Sequence, residues 1–125
     1  MKDYIPLNDL EVYKIARELS KLAWPLYEKL NWQDKKIMGD QFIESIDSVG
    51  ANIAEGYGRY HYLDKIKFYY NSRGSLSEAC KHWLELMHER GKVTEKQANE
   101  LRKLSEKLAV KLNNFIAKTY KAKTS

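Results

Sequence analysis

The chain has 125 residues, a formal net charge of +5 and one cysteine, which excludes an internal disulfide; its length suits one domain that folds without a structural metal. No apolar run approaches the roughly 18 residues of a membrane span, and the charged start "MKDYIPLNDLEVYK" is not expected to act as a signal peptide. We therefore expect a cytoplasmic protein with no membrane partner, and a buried, reduced thiol at Cys80.

The first predicted helix opens at "LNDLE". Asn8 is its expected N-cap, Glu11 completes a capping box, and Leu7 precedes them as a hydrophobic staple. Apolar residues then recur at intervals of three and four as far as Leu30. Pro25 lies inside this pattern, and because proline has no N–H to donate, we expect a kink in the helix there.

The second predicted helix covers residues 34–55, after a polar break at "NWQDKK". Gly50 falls inside it, and since a helical glycine costs about 1 kcal/mol relative to alanine, we expect another helix to approach closely there. Gly56 suits the left-handed conformation just past the end of a helix, and Gly58 then shapes the turn.

The third predicted helix covers residues 64–90 and stops at Gly91. The fourth begins at Thr94, where Gln97 completes a capping box, and it ends in a flexible lysine-rich tail from about residue 119. Strand alternation is absent and the breaks are short. We therefore predict an all-α protein, an antiparallel up-down-up-down four-helix bundle that forms a single domain.

Motifs for catalysis or metal binding are sparse. Glu85 and His88 form one Glu-x-x-His motif, but a carboxylate-bridged metal pair needs a second such motif on another helix. The glycine-rich stretch "GANIAEGYG" lacks both the lysine and the preceding strand of a phosphate-binding loop. We predict no enzyme activity, no catalytic residue, no metal site and no cofactor.

Three segments in order resemble a known family: "DLEVYKIA" (9–16), "NIAEGYGR" (52–59) and "RGSLSEA" (73–79). They are similar to signature segments of the four-helix-bundle proteins encoded in bacterial 23S rRNA intervening sequences, once labelled ribosomal protein S23. That group is related to the accessory variability determinant of diversity-generating retroelements. The chain departs from the family at Ile43 and Glu44, where other members often carry a basic pair.

The resemblance implies a homopentamer with a basic surface suited to nucleic acid. In the retroelement branch it implies a reverse transcriptase and its RNA as partners. Five aromatic residues exceed what the four apolar stripes need, and exposed patches of this kind usually mark interfaces. They are Trp24, Trp32, Tyr57, Tyr60 and Tyr62.

Polar residues around the glycine-rich segment are predicted to form a structural network. Counting across the turns places Asn52 opposite Tyr13, where its amide can tie helix ends together through a buried hydrogen bond. It also places Asp47 near Arg73, as a pair, beside a close approach of helices at Gly74. The predicted network comprises Tyr13, Asp47, Asn52, Glu55, Arg73 and Ser75.

The positive charge is concentrated in residues 92–125, which hold nine basic and three acidic residues. Five lysines of the fourth helix recur at intervals of seven and four and share one face: Lys96, Lys103, Lys107, Lys111 and Lys118. Such a face is either simply solvated or binds phosphates. Arg59, with the tyrosines of "YGRYHY", is a second candidate, which either stacks on bases or packs against a neighbouring subunit.

Two functions follow from these patterns. The first is a non-catalytic homo-oligomer that binds nucleic acid, structured RNA in preference, with low sequence specificity. The alternative is a protein-interaction scaffold that docks a partner such as a reverse transcriptase without binding nucleic acid directly.

Overall fold

The computed structural model describes residues 4–124, and all regular structure in that range is helical. A 3₁₀ turn at Leu7–Asp9 precedes α1, Glu11–Glu28. α2 covers residues 32–57, α3 covers residues 62–89, and α4 is Glu95–Thr124. The prediction of an all-α chain with four helices is confirmed. Among the described residues, no helix combines the length and apolar character that crossing a bilayer requires.

Two of the four helices contain a π-helical turn. In α2 it lies at Lys35–Gly39, between Trp32–Asp34 and Asp40–Tyr57. In α3 it lies at Glu78–Trp83, between Tyr62–Ser77 and Leu84–Glu89. α1 passes through Pro25 without ending, and α4 stays helical through the segment for which the sequence predicts a flexible tail.

The start of α1 differs from the predicted capping box. Its N-cap is Leu10, and no side chain caps the helix there. Asn8 lies inside the preceding 3₁₀ turn, which closes through backbone bonds from Asp9 N to Pro6 O (2.9 Å) and from Leu10 N to Leu7 O (3.0 Å). Because that turn holds Asn8 in helical backbone, its side chain is not in the N-cap position.

The other caps follow local signals. Thr94 and Gln97 form the predicted capping box, with Gln97 N donating to Thr94 Oγ1 (3.1 Å) and Thr94 N donating to Gln97 Oε1 (2.8 Å). α2 starts earlier than predicted because Asn31 caps it, accepting from Asp34 N at 2.8 Å.

α3 ends as predicted at Gly91. This glycine has φ of 71°, and the N–H of Lys92 donates to Met87 O at 2.9 Å. A left-handed glycine followed by this backbone bond is a Schellman ending, which satisfies carbonyls that the helix leaves free. The sequence identified the correct glycine here.

Gly56 was assigned wrongly. It lies inside α2 and is buried, and the helix ends at Tyr57, one residue later. A Cβ at Gly56 would stand 2.8 Å from Tyr69 Cε1, 2.9 Å from Phe68 Cβ and 3.0 Å from Lys65 O. Gly56 is therefore a point of close approach between α2 and α3, a role that requires the absence of a side chain.

The close approaches expected at two other glycines differ in outcome. A Cβ at Gly50 would meet Ala16 Cβ at 3.6 Å, which is ordinary contact with α1. A Cβ at Gly74 would meet no atom within 4 Å, so the predicted tight packing there is wrong. Gly74 faces outward on α3 and is exposed.

The core lies between the helices and is almost wholly apolar. The apolar stripe of α2 is fully buried: Phe42, Ile46, Val49 and Ile53. From α3, Tyr69 is 1% exposed, and its ring packs against Phe115 of α4 at a centroid distance of 4.8 Å. Ser72 is also fully buried, and it donates to Val49 O at 2.8 Å, so its hydroxyl is satisfied across helices.

Gly56→Ala is expected to lower the free energy of unfolding by about 1–3 kcal/mol, because the new methyl meets backbone and Cβ atoms that cannot swing aside. The matched control is Gly74→Ala, which enters open space and should raise stability by about 0.5–1 kcal/mol through helix propensity. Urea denaturation of both variants at one protein concentration measures the difference. Equal effects would mean that α2 and α3 relax freely around Gly56.

Candidate nucleic-acid interface

Four of the five predicted α4 lysines line two grooves that α4 shares with the first part of the chain. Lys103 and Lys107 line a groove of about 500 Å³ with Lys21 and Leu22 of α1. Lys111 and Lys118 line a second groove, of about 650 Å³, together with the residues at the start of α1. Lys96, the remaining predicted residue, is exposed near the start of α4 and lines neither groove.

Most of these lysines have no ionic partner among the residues that the structure describes. Lys111 lies 3.4 Å from Glu11, with both side chains largely in solvent, so this pair is weak. Lys96, Lys103, Lys107 and Lys118 form no ion pair with any residue in the described range. Their charges are therefore available to an external anion.

α1 adds three basic side chains that the sequence analysis did not single out. Lys14, Arg17 and Lys21 are exposed, and their intervals of three and four place them on one helix face. They line a common groove along α1. Their intervals are visible in the sequence, but the first part of the chain holds as many acidic as basic residues, so its net charge does not indicate a basic helix face. Of the three, Lys21 lines the groove with Lys103 and Lys107, whereas Arg17 also lines a groove with Asp47 of α2. The "α1–α4 basic face" comprises Lys21, Lys103, Lys107, Lys111 and Lys118.

Acidic residues interrupt the α1–α4 basic face. Glu18 and Glu100 line the same groove as Lys103, and Glu11 pairs with Lys111. The groove floor is apolar, formed by Leu22 and Leu104. The face therefore offers separate point charges rather than one continuous basic strip, which suits phosphate groups better than base edges.

Arg59 is apart from these grooves, just past the end of α2. It forms an ion pair with Glu55 at 2.7 Å, and its guanidinium lies 4.8 Å from the centre of the Phe68 ring. Tyr60 and Tyr62 beside it are 88% and 37% exposed. Tyr57 instead is half-buried, and its hydroxyl donates to Ile5 O at 2.5 Å.

The predicted polar network is not one connected network. Asn52 is half-buried and donates to Ser48 O of its own helix at 2.8 Å, rather than across helices. Tyr13 lies next to Gly50, and its hydroxyl accepts from Arg17 at 3.0 Å. Ser75 is half-buried, and the fully buried serine of α3 is Ser72.

Asp47 and Arg73 also have other partners than predicted. Asp47 accepts from Ser20 of α1 at 2.6 Å. Arg73 donates to Asn113 of α4 at 3.1 Å and lies 4.7 Å from the centre of the Tyr70 ring. The predicted pair is therefore wrong, because each side chain turns toward a different neighbouring helix.

Arg102 organises an ionic cluster that the sequence analysis missed. Its guanidinium holds Glu85 with two bonds of 2.7 Å, and its Nη2 lies 3.1 Å from His88 Nδ1. Because arginine only donates, this nitrogen of His88 is the acceptor, and Nε2 faces Glu95 at 2.9 Å. The Glu-x-x-His pair therefore already binds the guanidinium cation of Arg102. No three metal-ligating side chains cluster in the part of the chain that the structure describes.

Cys80 is buried, as predicted. Burial raises the pKa of its thiol to about 11, and a hydrogen bond with Ser105 offsets part of that rise. The thiol therefore stays protonated near neutral pH, which disfavours nucleophilic chemistry.

The four helices make this a small all-α protein. A family model described as 23S rRNA-intervening sequence protein matches residues 8–114. The chain belongs to this family, as its sequence segments indicate.

Comparisons with individual proteins agree on the fold. A crystal structure from Bacteroides thetaiotaomicron, described as a protein of unknown function from the S23 ribosomal protein family, is 25% identical and superposes with a TM-score of 0.77. The match covers 84% of this chain and 97% of that chain. The search of curated proteins finds no match.

Arg102→Met is expected to lower the free energy of unfolding at pH 7 by about 1 kcal/mol, allowing for the partial exposure of Glu85. Arg102 lowers the pKa of Glu85, chiefly through the hydrogen bonds. A depressed carboxyl pKa stabilises the fold above the unfolded-state value and loses that contribution as pH falls through the folded-state value. The difference between wild type and variant should therefore shrink below about pH 4.

Urea denaturation at pH 7 and pH 3 tests this, with Arg59→Met as the control. Arg59 has one exposed ion pair, so its loss should change stability by less than about 0.5 kcal/mol. An unchanged gap between wild type and Arg102→Met at the two pH values would contradict the ionic explanation.

Proposed function

We propose that this protein is a non-catalytic homo-oligomer that binds nucleic acid, preferably structured RNA, through the α1–α4 basic face. One observation supports this most directly. Lys103, Lys107 and Lys118 line the grooves beside α1 and form no ion pair with any described residue, and Lys111, in the same grooves, pairs with Glu11. A face of unpaired ammonium groups attracts polyphosphates by releasing their condensed counterions.

Low sequence specificity follows from the chemistry of the face. Its five basic residues are all lysines, and lysine acts as a point charge rather than as the bidentate donor that reads guanine. The interleaved carboxylates weaken each subunit's attraction, so several copies acting together bind more tightly than one. The preference for RNA rests on the family, whose name refers to inserts in 23S rRNA.

We infer that the helices follow an antiparallel up-down-up-down order. The contacts between α1 and α2 support it: Ser20 meets Asp47, and the later Tyr27 meets the earlier Asp40. The same reversal holds for α3 and α4, where Glu85 meets Arg102 and the earlier residue Arg73 meets the later Asn113. This order gives each neighbouring pair of helices a short connection.

Self-association is the second part of the proposal. Trp24, Trp32 and Tyr60 are 48%, 74% and 88% exposed, a large apolar surface for a chain of this size. The resemblance to the pentameric relatives makes a cyclic pentamer the favoured assembly. The cytoplasm is the proposed location.

Light scattering at micromolar concentration should give a mass several times that of the 14.7 kDa chain, five times for the proposed pentamer. Burial of the exposed aromatic residues provides the driving force. A mass equal to one chain would contradict self-association.

Replacing Lys103, Lys107 and Lys111 by glutamine should weaken binding to every RNA sequence about equally. It should also reduce the slope of log affinity against log salt by about one for each lost phosphate contact. Gel shifts of a structured RNA and a DNA duplex at several salt concentrations measure both. The matched control replaces Lys29, Lys35 and Lys36 by glutamine; these lysines follow the C-terminal end of α1.

Each triple variant loses three positive charges, so the two variants differ only in whether those charges lie on the α1–α4 basic face. If they weaken binding equally, bulk charge rather than the α1–α4 basic face is responsible. If wild type binds neither RNA nor DNA at low salt, the proposal fails and the scaffold function replaces it. If the triple variant binds as well as wild type, Arg59 and its tyrosines become the candidate site.

A further inference from the structure

A separate groove lies between α3 and α4, away from the α1–α4 basic face. It has a volume of about 600 Å³, and its lining includes Tyr70, Gly74, Lys81 and Val110. Nothing stands within 4 Å of the Cβ position of Gly74, and Val110 is 60% exposed. The groove is therefore open above a glycine and has an exposed apolar side chain on its α4 side.

The α3 side of this groove belongs to a regular stripe of exposed residues. They recur at intervals of four and three, which places the first five on one face of the α-helical segment Tyr62–Ser77, and Lys81 follows within the π turn at Glu78–Trp83. Two carry charges, and neither forms an ion pair with any residue in the described range. The α3 stripe is Leu63, Lys67, Tyr70, Gly74, Ser77 and Lys81.

α2 has an outward stripe of the same length and the same intervals, with the opposite charge. Five of its members are exposed and Ser48 is half-buried. Glu44 has no ionic partner in the part of the chain described, and Glu55 contacts only the exposed Arg59. The α2 stripe is Ile37, Gln41, Glu44, Ser48, Ala51 and Glu55.

We propose that the α2 stripe of one copy docks along the α3 stripe of a second copy, in the groove between α3 and α4. The interface rests on the self-association proposed above and assigns one pair of surfaces that carries it; Trp24, Trp32 and Tyr60 lie outside both stripes. Laid parallel, the stripes match at both ends. Ile37, 55% exposed, meets Leu63, 60% exposed, and Glu55 meets Lys81.

The middle of the two stripes matches as well. Glu44 lies within one helical turn of Lys67, and Ser48 faces Gly74. A small residue opposite a glycine lets two helix backbones approach closely. Matching intervals of three and four on both helices permit regular packing of side-chain ridges.

A second copy of this chain, rather than nucleic acid, is the occupant that can cover both stripes. The α2 stripe is acidic and, with Asp40 and Asp47 beside it, repels phosphates. Its complement is on a different face of the same molecule, so the contact is head-to-tail and propagates into a ring or filament. The α1–α4 basic face takes no part and stays open to RNA.

Charge reversal tests the pairing. Two double variants are compared with wild type: Glu44→Lys with Glu55→Lys, and Lys67→Glu with Lys81→Glu. Each should form a smaller assembly than wild type, measured as mass by light scattering, because like charges then face each other. A one-to-one mixture of the two variants should reassemble, since each reversed stripe finds its complement on the other. Glu28→Lys with Glu89→Lys, exposed residues outside both stripes, should leave the mass unchanged.

A steric variant tests the groove independently. Gly74→Leu should fill the groove and dissociate the assembly while the helical content by circular dichroism is retained. Gly74→Ala adds only a methyl to the open space and should keep the assembly.

The outcomes separate this interface from the proposed function. If wild type assembles and every variant assembles equally, the interface lies elsewhere and this inference is overturned, while the assembly stands. If the reversed variants dissociate but their mixture does not reassemble, direct pairing of the two stripes is refuted. If wild type is a monomer, self-association and this interface both fail, whereas RNA binding is judged by the gel shifts alone.

Discussion

The missing side chain at Gly56 sets the distance on which the packing of three helices depends. Tyr69 of α3 comes so near α2 that its ring lies where a Cβ would clash. The same approach brings Ser72 within 2.8 Å of Val49 O, which satisfies a fully buried hydroxyl. On its other side the Tyr69 ring contacts Phe115, which seats α4. A single absent methyl thus governs both the polar and the aromatic contacts of α3.

The arrangement of the helices also separates the charges. α1 contacts α2 through Ser20 and Asp47, and it contacts α4 through Glu11 and Lys111. Lys21 of α1 therefore joins the lysines of α4, whereas α2 keeps an acidic outer surface. Segregation of this kind gives the molecule one surface rich in ammonium groups and another rich in carboxylates. The excess of positive charge in the last quarter of the sequence does not by itself reveal this division.

Local signals predicted the helices well, and tertiary contacts explain the errors. The Thr94–Gln97 capping box and the Gly91 ending depend on residues within one turn, so the sequence contains all that determines them. Whether Gly56 ends α2 or admits a neighbour depends on Tyr69, which no local pattern reveals. The partners of a side chain such as Arg73 depend on how its helix is rotated about its own axis. An error of one residue in the assumed length of the turn before the helix changes that rotation by about 100°. For the same reason the spacing of the α4 lysines places them on one face of α4, but it does not show which residues of α1 lie beside them.

The π turn at Glu78–Trp83 has a consequence for comparing relatives. Leu76, Cys80 and Leu84 are all buried at intervals of four, which an unbroken α-helix would carry progressively off the core face. The wider turn absorbs this drift, so it behaves as one inserted residue accommodated inside the helix. Homologous chains can then differ by a single residue in mid-helix and still present the same core. A one-residue gap within α3, in an alignment of this family, marks a difference in winding rather than a break between helices.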